Sequence, residues 1–302
     1  MSKINLNYYK DEDTSVYFSF KNLHPNVLEL LKDVNNPESY SKLPFEVRYF
    51  INPKKANLLN WYEFKPDDDI LIINDCLGYI TESICDKVKS VSVVEFSKPI
   101  AEITNERLSG KDNVEIYVGD TLGITFTTNY DYIILVDIME SLNPFYNFRD
   151  PYNEFFEYIG YFLKPNGKLV LSVNNMFGLK NWAGAFEEKT GTLFSDLGVK
   201  TIMRGNAYTK YDYDRILDFL EYDDCMYFYP IPSQYIPEQV VMESELKDSS
   251  VSSCFQNDAI YAKKLFNDSK VVDSIIKNDK FYLFANSFLI FAGKKEAGEI
   301  SW

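Results

Sequence analysis

The amino-acid sequence predicts an α/β protein on a doubly wound, mostly parallel sheet of seven strands, with an N-terminal helical extension and an insertion before the last strand. Three observations predict it. From residue 69 onward, short apolar runs alternate with segments of helical spacing. The early runs end on polar residues where loops begin, and two more strand candidates follow late in the chain.

Residues 1–65 form the extension, with apolar patches at Leu28, Leu30 and Leu31 and at Leu58, Leu59, Trp61 and Tyr62. Neither patch is long enough to hold a helix alone, so both should pack on the main domain. That domain spans residues 66–302. The run at 70–73 is apolar throughout, as in a strand buried on both faces, and Tyr79 to Val88 reads as a helix. Val91 to Val94 makes a second strand ending at Glu95, and Ser97 is placed to cap a helix carrying Ile100, Ile103 and Leu108. Val114 to Val118 closes on Gly119-Asp120, and Tyr132 to Val136 on Asp137. Asp150-Pro151 suits a helix start, and Phe155, Phe156, Ile159 and Leu163 come after it at helical spacing. Pro165-Asn166-Gly167 turns the chain into a strand from Lys168 to Val173. The late strands are Cys225 to Tyr229 and Phe281 to Ala292, with an insertion or lid at 232–280 between them.

Composition narrows the partners. With 31 basic and 45 acidic residues the formal charge is -14, which opposes phosphate backbones and anionic lipid. A small or neutral acceptor fits better, and no nucleic acid is expected. The four cysteines have no paired spacing, so neither a metal site nor a disulfide is indicated and a cytoplasmic setting is expected. The polar start is unlike a signal peptide, and no apolar stretch approaches the ~20 residues of a membrane span.

In an open parallel sheet, ligands bind beyond the carboxyl ends of the strands. That places the loop Asn74-Asp75-Cys76-Leu77-Gly78 beside Glu95, Asp120 and Asp137. A charge that ends a buried strand often only marks where the chain meets water; three in succession point to a ligand. Glu95 lies 17 residues past Gly78, close to the ~20-residue offset of an acid that reaches ribose hydroxyls. The loop lacks the glycines a dinucleotide pyrophosphate needs, and Asp75 would meet phosphate with its own charge. S-adenosylmethionine carries a sulfonium and no phosphate, so an acidic crevice suits it.

From about Arg48 to Pro237, and again at 284–294, the chain resembles the class I methyltransferases of bacterial glycan and cell-surface modification gene clusters. The stretches NLLNWYEF (57–64), VVEFSKPIAEI (93–103), LKPNGKLVLSVNN (163–175) and FGLKNWAGAFEEKTG (177–191) carry the resemblance. It implies that Asn74, Cys76 and Gly78 surround the methionine moiety, that Glu95 holds the ribose and that Asp120 lies on the adenine side. It also implies that Glu140 faces the acceptor, with Asn175, Lys180 and Trp182 on the acceptor side. The chain departs from the family pattern at Ile72, Asn74 and Cys76, where an acid and two glycines are usual, and at Phe50, Asn174 and Lys189.

Methyl transfer needs alignment, exclusion of water and, for a hydroxyl acceptor, a base. His24 is the single histidine and sits in the extension, so Asp137 and Glu140 are the candidate bases. Three functions are consistent with these residues: a methyltransferase acting on a small or glycan-linked acceptor, a degenerate relative that partners an active enzyme, or a different small-molecule or nucleotide-binding protein that has repurposed the cleft. A homo-oligomer or a partner enzyme is compatible with either.

Overall fold

A computed structural model describes residues 3–10, 25–34, 36–75, 77–139, 142, 151–186, 192–194, 197, 208–247, 251–255, 259–261 and 263–294. In chain order, β1 (Lys3–Asn5) is followed by three short helices, α1 (Pro25–Lys32), α2 (Pro37–Lys42) and α3 (Phe45–Phe50). Then come β2 (Asp69–Ile73), α4 (Tyr79–Ile84), β3 (Ser90–Glu95), α5 (Lys98–Arg107), β4 (Val114–Val118), β5 (Tyr130–Val136), α6 (Pro151–Gly160) and β6 (Leu163–Asn174). The last third carries α7 (Leu179–Trp182), α8 (Lys210–Phe219), β7 (Asp224–Ile231), β8 (Gln239–Val241), α9 (Asp268–Lys277), α10 (Phe281–Phe284) and β9 (Ser287–Gly293).

The described residues form one sheet of nine strands, not seven, in the order β1-β4-β3-β2-β5-β6-β9-β7-β8. Strands β2 to β6 pair in parallel with one another, and β9 runs antiparallel between β6 and β7. The two added strands are three-residue edges. β1 pairs in parallel with β4, so the extension is not wholly helical. Gly119 holds that edge close: at φ 145° it lies where a Cβ would come 2.6 Å from the Tyr8 carbonyl oxygen.

The alternation of side chains in β2 explains why its sequence is apolar throughout. Leu71 and Ile73 enter one core with Leu135, Leu171 and Phe288, while Ile70 and Ile72 enter a second with Val93, Ile134 and Val170. A third, smaller core joins the extension to the domain: Leu31, Val34, Leu43, Val47 and Ile51 pack on Leu77, Tyr79, Ile100 and Ile103.

Three further expectations change. The apolar stretch from Phe281 is not one strand, because Phe281–Phe284 makes a helical turn and the strand begins at Ser287. The Pro165-Asn166-Gly167 turn lies within β6, where pairing jumps from Tyr130–Leu163 to Tyr132–Lys168 and Asn166 takes φ 57°. The segment 232–280 is more than a lid. Val241, Leu246, Val251, Phe255, Val272 and Ile276 from it are buried in the main core.

Candidate active site

The loop after β2 is built from unusual backbone. Asn74, Leu77 and Gly78 all have positive φ, at 70°, 77° and 78°. Asparagine reaches this region more readily than most residues, which explains how it can stand where a glycine is usual. Leucine reaches it only under strain, and here its side chain is fully buried among the extension helices, which hold it there. Asp75 does not face a ligand, contrary to the sequence expectation. It is completely buried and accepts from the backbone N–H groups of Ile80 (3.0 Å) and Thr81 (2.9 Å), capping α4. Burial raises its pKa against the opposing pull of these bonds.

Glu95 ends β3 with a carboxylate that is 2% exposed, and the Thr104 hydroxyl lies 3.5 Å from its Oε1. Asp120 is half-buried and accepts from Leu122 N–H at 3.1 Å, capping the turn after β4. The Asn74 Nδ2 donates to the Val136 carbonyl at 2.8 Å, tying the loop to the end of β5. Its Oδ1 is buried without a hydrogen-bond partner among the described residues. Such an orphaned acceptor beside two strand-end acids suits a cationic ligand group. On that observation the residues present fit S-adenosylmethionine.

Asp137 follows β5 at φ 55° and is 8% exposed. Its Oδ1 accepts from the Tyr235 hydroxyl at 3.0 Å and from Gln234 Nε2 at 3.4 Å. The Ser172 hydroxyl in turn donates to Gln234 Oε1 at 2.7 Å. Asn174 Nδ2 donates to the same Tyr235 oxygen at 3.0 Å, and Lys180 Nζ donates to Asn174 Oδ1 at 3.0 Å. The chain of contacts Asp137–Tyr235–Asn174–Lys180 thus joins the carboxyl ends of β5 and β6 to the segment after β7. Tyr49 and Phe50 of α3 close it from above, with ring centroids 5.0 and 5.2 Å from that of Tyr235.

Of the acceptor-side candidates, Lys180 enters this network and is fully buried. Asn175 is buried with its amide used by the fold: it donates to the Leu283 and Ala285 carbonyls and accepts from Phe177 N–H. Trp182 is 45% exposed and donates to the Phe177 carbonyl at 3.2 Å, apart from the network. Cys76, Glu140, Lys189 and His24 lie outside the described residues. The aromatic run Tyr227-Phe228-Tyr229 packs on the sheet; the rings of Tyr227 and Tyr229 contact Phe288 and that of Phe228 contacts Phe291. Sequence reasoning missed Tyr235, Gln234 and Tyr49. They carry no motif, and only the fold brings them to Asp137.

Among the described residues, no group of His, Cys, Asp and Glu could hold a metal ion, and no helix is long and apolar enough to cross a membrane. A family model described as ribosomal RNA adenine dimethylase matches residues 41–149, the part that holds the loop, Glu95, Asp120 and Asp137. Over 64 residues, 21% of this chain, it is 31% identical to a probable ribosomal RNA small subunit methyltransferase A of Methanosarcina mazei. It is 34% identical over 64 residues to ribosomal RNA small subunit methyltransferase A of Pseudomonas fluorescens. The match spans about a quarter of the length of these relatives, 24% in each. Among solved structures it is similar to phosphoethanolamine N-methyltransferase 1 of Haemonchus contortus, in complex with phosphoethanolamine and S-adenosylhomocysteine. That likeness has a TM-score of 0.51 at 14% identity, covering 90% of this chain and 48% of the other. With five parallel strands followed by an antiparallel β9 inserted between β6 and β7, the chain has the class I methyltransferase fold.

Proposed function

We propose that this chain is an S-adenosylmethionine-dependent methyltransferase acting on a small or glycan-linked acceptor in bacterial surface-glycan or protein-glycan modification. The observation that carries this is the buried Glu95 carboxylate at the end of β3, with Asn74, in the loop after the adjacent β2, holding an Oδ1 that has no partner among the described residues. The names of the curated relatives suggest an RNA acceptor. The net charge of -14 opposes it, since no cationic excess would neutralise a phosphate backbone.

When bound, S-adenosylmethionine supplies an electrophilic methyl group on a sulfonium. The protein's part is to align the acceptor and keep water out. Asp137 is the base: both of its protein bonds fall on Oδ1, so among the described residues Oδ2 is left to take an acceptor proton. Tyr235 and Gln234 fix the orientation of that carboxylate, and Lys180 anchors Asn174 beneath it. Glu140 stands as a second candidate base from the sequence alone. One observation favours the degenerate reading: Asn74 and Leu77 carry side chains in the loop, and Ile72 replaces a polar partner in β2.

The test is transfer of labelled methyl from S-adenosylmethionine to a mixture of sugars and glycan oligomers, with Asp137→Asn in parallel. Transfer to a sugar that falls by two to four orders of magnitude in Asp137→Asn supports the reading. Transfer to RNA alone, or none to any acceptor, contradicts it.

A further inference from the structure

A cavity of about 530 Å³ lies between α3 and the segment that follows β7, with Phe45, Arg48, Tyr49, Lys54, Pro232 and Glu238 in its wall. None of the donor-side residues contributes to it. Its charges are unequal: Lys54 Nζ is ion-paired with Glu238 Oε1, which cancels both. Arg48 is left over. Its backbone N–H and C=O are bonded within the extension, yet its guanidinium has no hydrogen-bond or ion-pair partner among the described residues, and its Nε is buried.

A buried donor without an acceptor costs free energy, so the buried Nε of this half-buried guanidinium, left that way in a cavity wall, points to an acceptor that arrives from outside. Its planar fork matches carboxylate or phosphate, and in a chain of net charge -14 an uncancelled cation in a cavity selects strongly for an anion. The neighbouring wall is aromatic. Phe45 is 45% exposed, with its ring centroid 6.4 Å from that of Tyr49. Such faces pack against the apolar side of a ring while its polar groups stay wet.

The cavity is linked to the proposed base through Tyr49 and Tyr235, although Asp137 is not in its wall. Tyr49, in its wall, has its ring centroid 5.0 Å from that of Tyr235 at a tilt of 43°, and its hydroxyl lies 3.3 Å from Ser233 Oγ. Tyr235 bonds Asp137. We infer that this cavity binds the acceptor, and that the acceptor is an anionic sugar, with its carboxylate or phosphate on Arg48 and its ring on Phe45 and Tyr49. Its role as the acceptor rests on the methyltransferase reading; its binding of an anionic sugar does not.

Saturation-transfer NMR on the full chain, with glucuronate, glucose 6-phosphate and glucose as probes, tests this. At least one anionic sugar binds about tenfold more tightly than glucose, and that preference is lost in Arg48→Gln and partly kept in Arg48→Lys. Which anion binds decides between a carboxylate and a phosphate acceptor. Phe45→Ala, at an exposed ring, weakens all three sugars, and a thermal melt of each variant shows whether it is folded. Equal binding of glucose and both anions, or unchanged preference in folded Arg48→Gln, overturns the inference. S-adenosylhomocysteine titrated into the same samples separates the two proposals. If it binds and neither anionic sugar does, the cavity assignment falls alone; if an anionic sugar binds and it does not, the methyltransferase reading falls alone.

Discussion

The Tyr235 hydroxyl donates to Asp137 Oδ1 at 3.0 Å while accepting from Asn174 Nδ2 at 3.0 Å, so one buried oxygen couples the end of β5 to the end of β6. Neither partner is replaceable by water, since Tyr235 is 1% exposed. Tyr235→Phe keeps the ring packed on Tyr49 and Phe50 but strips a donor from Asp137 and an acceptor from Asn174. The expected cost is about 1–3 kcal/mol in urea unfolding. In methyl-transfer assays kcat should fall more than KM rises, because the base loses its orientation. Unchanged kcat with the same loss of stability would make Tyr235 a packing residue only.

Leu77 joins the donor loop to the extension. It sits at φ 77° with no exposed surface, packed with Leu31, Val34 and Ile51. Leu77→Ala should destabilise the protein by about 2–4 kcal/mol through the cavity it leaves, with the backbone strain retained. Leu77→Gly removes the same contacts but relieves the strain, so it should cost no more than Leu77→Ala despite the greater flexibility of glycine. Chemical denaturation of the pair checks this. A glycine variant clearly less stable than the alanine variant would show that the positive φ carries no strain.

Gly78 opens α4 in the left-handed region, and an added Cβ would come 3.1 Å from Thr104 Cγ2. The hydroxyl of that threonine is the neighbour of Glu95. Gly78→Ala should therefore cost about 1–2 kcal/mol of stability. It should also weaken S-adenosylhomocysteine binding, read by calorimetry, by disturbing the Thr104–Glu95 contact. Full donor affinity in a folded Gly78→Ala would detach the glycine from the donor site.

Acid stability depends on the opposite end of the sheet. Burial acts to raise the Asp69 pKa, but hydrogen bonds from Ser90, Lys89 and Lys164 outweigh it and bring the group to about 2, below its ordinary 3.8. A carboxyl depressed on folding adds stability that is complete above its unfolded value and is lost as pH falls through the folded one. Its share should therefore be whole above about pH 5 and vanish progressively between about pH 4 and pH 2. With Lys89 largely exposed, the share is about 1–2 kcal/mol. Urea midpoints of Asp69→Asn and the parent should differ at pH 7 and converge near pH 2; a constant difference would contradict this.

The features differ in how far the sequence alone reveals them, and the reasons are physical. Strand β2 is readable because burial on both faces leaves an unbroken apolar run, and β3 to β5 because their mostly buried apolar runs are broken only by Ser92, Glu115 and Asp131. Strands β1 and β8 are not, because three residues on a sheet edge have no periodicity to detect. Phe281 to Ala292 read as one strand because helix and strand are equally apolar there, and the break at Ala285–Asn286 is set by tertiary contacts: Asn286 holds Lys180 N–H and the Pro232 carbonyl. Glu95, Asp120 and Asp137 were legible as strand-end acids. Asp75 was misjudged since its inward turn depends on the orphan N–H groups of α4. Tyr235 and Arg48 were invisible, as their significance lies in contacts between segments far apart in the chain.

The crevice between the loop after β2 and Glu95 should hold S-adenosylmethionine. Calorimetric titration of the purified protein with S-adenosylmethionine and S-adenosylhomocysteine, with Glu95→Ala alongside, tests it most directly. Saturable binding of both ligands is expected, weakened at least about tenfold in Glu95→Ala by loss of a charged hydrogen-bond acceptor. Absence of binding in a well-folded sample, or equal binding in Glu95→Ala, would contradict it.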